Sequence, residues 1–217
     1  MKKILFILSF ACCLMAAQAQ NANLKKSVED GIKTSIQQTE NREWQEAFAT
    51  CRQMDALIYA DEQKSKKQAP ELHYLVTKER LRMYMRLNNS ERCKEQLEKL
   101  ATYAKQSAQD ALQEDLLMSQ AGYYQKFGMT DKSLQCYKQL VQKRSEGKDE
   151  AGIDACYKDM LKQANESGNA VLTNALDKLY THWQDSIKAV KAAKELQALQ
   201  DDYQMSKKVL RHKEEKI

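Results

Sequence analysis

The 217-residue sequence holds one proline and six glycines. So few chain breakers leave little room for tight turns or long irregular loops, and they exclude collagen-like and Pro/Gly-rich low-complexity chains. Aromatic residues make up only 7% of the chain. β-branched residues are also sparse, which argues against a β-sandwich or barrel. Histidine is nearly absent: His73, His182 and His212 stand far apart and share no motif. No nucleophile–base pairing, phosphate-binding glycine loop or zinc signature is present, so the sequence points to no enzyme, no cofactor and no metal. Mean hydropathy is negative, which argues against a membrane bundle.

What is present is helix-forming. Gln, Lys, Ala, Leu and Glu dominate, and hydrophobic residues at 42% suffice for a layered core. The expectation is an all-α chain.

Residues 1–19 differ from the rest. Lys2 and Lys3 form a basic start, Ile4 to Ala16 an uncharged apolar run, and Ala17-Gln18-Ala19 a small-x-small cleavage pattern. This is the form of a secretory signal peptide, so the mature chain is expected to start at Gln20. An uncleaved anchor is the alternative, although the apolar run is short for a membrane span. A lipoprotein attachment at Cys12 or Cys13 is a weaker alternative, because Ser9-Phe10-Ala11 lacks the usual Leu. Removing Lys2 and Lys3 lowers the formal charge by two from +5. A nearly balanced chain gives no support to a nucleic-acid partner. The expected compartment is the periplasm or outer surface of a bacterial envelope.

The chain beyond residue 19 is organised around Asp115 to Ser145. Leu116, Leu117, Ala121, Tyr124 and Phe127 share one helical face, and Leu134, Tyr137, Leu140 and Val141 share another. Gly128 is placed to stop the first helix in the left-handed conformation, and Thr130 to cap the second. The short connection makes the two antiparallel neighbours. Ala121, Tyr124, Gly128, Ser133 and Tyr137 fall in an order and spacing that resembles the tetratricopeptide repeat. Leu140 stands where that family usually has Ala, and Ser145 where a Pro often closes the repeat. The resemblance implies a solenoid of helical hairpins that binds protein or peptide partners.

Other hairpins follow the same plan. Ser27-Val28-Glu29-Asp30 has the form of a capping box opening a helix to about Thr39. Trp44, Ala47, Phe48, Cys51, Met54, Leu57 and Ile58 form the next apolar face. Asp61 to Ala69 reads as a frayed end and loop before Pro70. Leu72, Leu75, Val76, Leu81, Tyr84 and Leu87 build a helix that turns at Asn88-Asn89, with Ser90 as the next cap. Leu97, Leu100 and Tyr103 then face the core. Ile153, Cys156, Tyr157, Met160 and Leu161 make a further helix after the polar segment from Ser145 to Asp149. The result is an internal repeat of about 40 residues.

Four cysteines follow the leader: Cys51, Cys93, Cys136 and Cys156. The first three recur at intervals of 42 and 43 residues, at what the spacing reads as matching places on second helices. Small apolar side chains suit tight helix contacts, so buried thiols are expected, with a disulfide as the alternative in an oxidising compartment.

From Ala170 to Ile217 there is neither Pro nor Gly. Helical spacing of Leu172, Leu176, Leu179, Trp183, Ile187 and Val190 continues far beyond what one domain core can cover. The expected organisation is a signal peptide over 1–19, a tetratricopeptide-like repeat domain over 20–180, and an extended charged helix over 181–217. That last helix pairs as a coiled coil, giving a homodimer, or projects alone. The order of parts resembles the periplasmic repeat region of Bacteroidetes sensor and regulator proteins. A membrane association is expected only if the natural chain continues past Ile217.

One constellation suggests a binding surface. Lys78, Arg82 and Arg86 lie four residues apart and form a basic stripe on one helix face. In tetratricopeptide-like folds the first helix of each hairpin lines the concave groove, so Lys126 is expected to extend the stripe. Such a stripe suits an acidic or C-terminal peptide segment through charge-assisted hydrogen bonds. Glu79 lies about 100° round the helix and is expected to leave that charge intact.

Overall fold

The computed structural model describes residues 22–147 and 149–214, the side chains of 209–214 excepted. The leader assigned to residues 1–19 lies outside the described residues. Among the described residues all regular structure is helical. Helix α1 covers 22–40. It is followed by α2 (Trp44–Ser65), α3 (Pro70–Arg86), α4 (Ser90–Ser107), α5 (Asp110–Lys126), α6 (Thr130–Glu146), α7 (Glu150–Glu166) and α8 (Ala170–Glu214). Consecutive helices pair as hairpins, as a helical repeat solenoid with a long final helix requires.

The repeat is regular at the level of the backbone. Helices α3, α5 and α7 begin at Pro70, Asp110 and Glu150, and α4, α6 and α8 at Ser90, Thr130 and Ala170. Both series step by the same 40 residues. Every hairpin turns the same way. The turn residue is left-handed at Arg42 (φ 65°), Asn88 (φ 53°), Gly128 (φ 73°) and Gly168 (φ 68°). At each turn the next amide reaches back to a carbonyl five residues earlier. These bonds are Glu43 to Gln38 (2.8 Å), Asn89 to Tyr84 (3.0 Å), Met129 to Tyr124 (2.7 Å) and Asn169 to Ala164 (3.2 Å). Four copies of one C-terminal motif satisfy the last carbonyls of α1, α3, α5 and α7 and reverse the chain.

The 40-residue step corrects the cysteine reading. Cys51 is the eighth residue of α2, Cys93 the fourth of α4 and Cys136 the seventh of α6. They do not occupy matching places, because their intervals exceed the true repeat. All four cysteines beyond residue 19 are nevertheless buried thiols.

Helix starts differ from expectation in a consistent way. Ser27 is inside α1 and its hydroxyl donates back to the Asn23 carbonyl (3.0 Å), so it caps nothing. Asn89, not Ser90, caps α4 by accepting from the Arg92 amide (3.0 Å). The Ser90 hydroxyl instead meets the Tyr123 hydroxyl at 2.9 Å. Thr130 is the first residue of α6 rather than its cap. Helix α2 continues through the polar stretch to Ser65, and Pro70 then opens α3, where a missing N–H costs nothing. Leu57 is half exposed, not core.

The chain forms two compact units, divided between Lys143 and Arg144. In the first unit, Val28, Ala47, Cys51, Met54, Ile58, Leu72, Val76 and Met83 build a core among α1, α2 and α3. Gly31 permits this contact, since a Cβ there would stand 2.6 Å from the Met54 sulfur. A second core of Tyr74, Leu81, Cys93, Leu97, Leu100, Ala104, Leu116 and Tyr123 joins α3, α4 and α5. Helix α6 docks on α5 through the Ser133 hydroxyl, which donates to the Ala121 carbonyl at 3.0 Å.

In the second unit α7 packs against the first turns of α8. Ile153, Cys156, Tyr157, Met160 and Ala164 are buried, as are Leu172 and Leu176. Tyr157 lies against Tyr180 and Trp183, with ring centroids 5.2 and 5.9 Å away. The Tyr180 hydroxyl donates to Asp154, which Lys158 also pairs. These two donors hold the Asp154 carboxyl below its ordinary range. From residue 188 to 208 every side chain of α8 is exposed.

Candidate interaction surfaces

The basic stripe lies on α3, where alternate faces are buried and polar. Glu79 is only 4% exposed. It accepts from the Ser35 hydroxyl of α1 at 2.9 Å and from Arg82 at 2.6 and 2.8 Å. A buried carboxylate needs a cation and donors, and Arg82 supplies both in a two-point contact. The expectation that Glu79 leaves the stripe's charge intact is therefore wrong. Residues three apart on a helix are neighbours, and the long Arg82 side chain folds back onto Glu79. The bond to Glu79 also pulls the Arg82 guanidinium further towards its charged form.

Lys78 is engaged as well. Its ammonium pairs with Asp115 of α5 at 2.5 Å. Tyr74 donates to the other oxygen of the same carboxylate at 2.8 Å. Burial first, and the Asp115 charge second, push the Tyr74 hydroxyl's pKa far up, so it stays a donor. Lys78 and Tyr74 thus clamp α3 to α5. Arg80, outside the stripe, ties α3 to α2 through Asp55 and through the Cys51 carbonyl at 3.2 Å. Arg86 and Lys126 are exposed and have no acidic partner among the described residues. The four predicted cations are therefore two structural clamps and two solvent-facing charges.

A concave site exists that the sequence reading missed. It is a groove of about 350 Å³ between α4, α5 and the start of α6. Leu97, Ala101, Tyr123, Tyr124 and Met129 form its apolar floor, and Lys94, Glu98, Gln120 and Lys132 its polar rim. The floor is built by the repeat. Tyr123 is 2% exposed, and its ring meets those of Tyr124 and Phe127 at 5.4 and 4.9 Å. Its hydroxyl is fixed by Ser90. Tyr124, one residue on, turns its ring to the groove, where the Lys132 ammonium stands 5.6 Å from the ring centroid. That is a cation–π contact at an exposed site. Lys94 and Lys132 outnumber Glu98 on the rim, so the mouth is positive over an aromatic floor. The adjacent pair Tyr123-Tyr124 was the available signal, because neighbouring residues on a helix face different surroundings.

Among the described residues no group of three His, Cys, Asp or Glu is placed to hold a metal. His73 sits between Glu62, 3.3 Å away, and the Tyr103 ring stacked at 5.2 Å.

The third surface is α8. Leu196, Leu199 and Tyr203 are 58, 67 and 65% exposed on a helix that no neighbour covers there. No described helix is long and apolar enough to cross a membrane.

Comparisons with protein-family models, curated proteins and solved structures find no match for this chain. Fold and surfaces define a class, a helical-hairpin repeat protein with an extended terminal helix, and function is argued from the surfaces.

Proposed function

We propose that the protein is a non-enzymatic protein-interaction module of tetratricopeptide-like build. In this reading it acts as a scaffold or as the sensory part of a signalling assembly. The observation that supports it is the groove between α4 and α5, where apolar and aromatic side chains form a floor under a lysine-bearing rim. That combination suits an extended segment carrying apolar side chains and carboxylates. Arg86 and Lys126 add positive surface charge for the approach of an acidic partner. The leader pattern of residues 1–19 extends the reading to a secreted, periplasmic protein. No nucleic acid is part of it.

The test is selection of random peptides displayed on phage against the immobilised chain. Enrichment of acidic, apolar-rich peptides is expected. Their binding should fall about tenfold or more in Lys94→Glu/Lys132→Glu and weaken with salt. Both lysines are exposed, so the variant should stay folded. Selected peptides that bind the variant and the parent chain alike would remove the groove from the proposal.

A second reading, a structural dimerisation element, is favoured by one observation. Helix α8 exposes large apolar side chains well beyond the part that packs on α7.

A further inference from the structure

We propose that α8 pairs with α8 of a second copy as a parallel two-stranded coiled coil over residues 189–206. The inference rests on the second reading above and specifies its seam, register and direction.

The exposed part of α8 contains a row that follows the coiled-coil spacing of three and four. Ala189, Ala192, Leu196, Leu199, Tyr203 and Ser206 fall alternately three and four residues apart. They occupy positions a, d, a, d, a and d of successive heptads. The buried residues of the α7 contact, Leu172 and Leu176, do not share this phase. The helix therefore changes the face it uses, from one that meets α7 to one left exposed among the described residues. Val190 and Met205 are also exposed but lie on the opposite side, outside the seam. Residues 188–208 span about 30 Å of exposed helix, enough for such a pairing.

Charge complementarity selects a second copy and sets its direction. Flanking the seam, Glu195 and Asp202 take the g positions, and Ala193, Gln200 and Lys207 the e positions. In a parallel pair each g residue faces the e residue five further on in the other chain. Asp202 then meets Lys207 of the second copy twice per dimer, and Glu195 meets neutral Gln200. Antiparallel pairing would place Leu196 opposite Leu199, and Glu195 beside Asp202 of the other chain twice, four acidic groups along one seam. The small Ala189 and Ala192 layers allow close approach at the start, while Leu196, Leu199 and Tyr203 supply the buried apolar area.

The experiment combines mass in solution with cysteine cross-linking on the full chain. Light scattering from about 1 to 500 μM, spanning the range of weak dimers, should show a monomer–dimer equilibrium. Leu196→Asp/Leu199→Asp should weaken it about tenfold or more with unchanged circular dichroism. Under mild oxidation Ala189→Cys and Tyr203→Cys should each cross-link to itself, because identical a positions meet in a parallel pair. The natural thiols beyond residue 19 are buried, and the parent chain is the control. A monomer throughout this range would overturn both the inference and the reading it rests on. A dimer indifferent to the Leu196 and Leu199 changes would leave that reading standing and remove this seam. A sensitive dimer in which neither cysteine self-links would overturn the parallel register alone.

Discussion

At the scale of single residues, four left-handed turn positions carry the repeat, and two of them are not glycine. Arg42 has a Cβ that the left-handed conformation disfavours, whereas Asn88 tolerates it better. Arg42→Gly should therefore stabilise the chain by about 0.5–1 kcal/mol, and Asn88→Gly by less. Gly128→Ala should cost about 1 kcal/mol through the backbone alone, since a Cβ there meets nothing within 4 Å. Urea titration measures all three, and a neutral Arg42→Gly would contradict the strain argument. The Glu79–Arg82 pair predicts a different pattern. Arg82→Ala leaves a buried carboxylate without its cation and should cost about 2–3 kcal/mol. Adding Glu79→Gln should recover most of that loss, which simple loss of packing would not. The same fact makes Arg82 a poor probe of partner binding. Cys51 supplies a pH dependence. Burial, only partly offset by Arg80, raises its thiol from 9.0 to about 11. Above pH 9 the unfolded thiol ionises while the folded one keeps its proton, so the native state binds more protons. Stability is then fully present below pH 9 and falls as pH rises towards about 11. The slope is about 1 kcal/mol per pH unit. Cys51→Ala, less stable at neutral pH, should lose that part of the slope; an unchanged slope would assign the decline to other groups.

At the scale of elements, apolar periodicity made the helices legible, because a 3.6-residue stripe is the direct signature of a buried helix face. Turn residues were legible at all four hairpins, because Glu40-Asn41-Arg42, Asn88-Asn89, Gly128 and Ser167-Gly168 each interrupt the apolar stripes. The first helix start was misread because Ser27 suits a cap in isolation, yet its hydroxyl can also bond back inside a helix, and it does so. The repeat length of about 40 residues was legible from the hairpin spacing, whereas the cysteine intervals of 42 and 43 residues were not a measure of it. Helix α8 was legible as long and uninterrupted. Its change of face near residue 188 was not, because that depends on where α7 begins beside it. This gives an element-level prediction. A chain ending at residue 187 loses no buried side chain among the described residues. It also loses the Lys191–Glu150 contact of 3.1 Å, an exposed ion pair of little net value. Its thermal midpoint should stay within about 2 °C of the parent when both are monomeric. A larger drop would mean that the outer part of α8 supports the fold.

At the scale of the whole molecule, the candidate site was less legible than the fold. The basic stripe was visible as a spacing, but charge on a helix face does not reveal whether its partner is solvent, another protein or the chain itself. Only packing shows that Asp115 and Glu79 take two of the four cations. The groove was hidden for the complementary reason: its floor and rim come from three helices, and no single-helix pattern contains it. If the groove binds acidic segments and the outer part of α8 dimerises the chain, the two properties act together on a partner displayed in many copies. A dimer then offers two grooves, and the second binding event becomes intramolecular, at an effective concentration set by the surface density of the partner. Leu196→Asp/Leu199→Asp should leave the affinity for a free selected peptide unchanged. On a surface coated densely with that peptide, the same variant should dissociate about tenfold or more faster than the parent chain. At sparse coating the two should converge. Surface-binding kinetics at two coating densities make the comparison. Equal dissociation at both densities would show that dimerisation does not serve binding. Loss of free-peptide affinity in the variant would show instead that dimerisation is itself needed for binding.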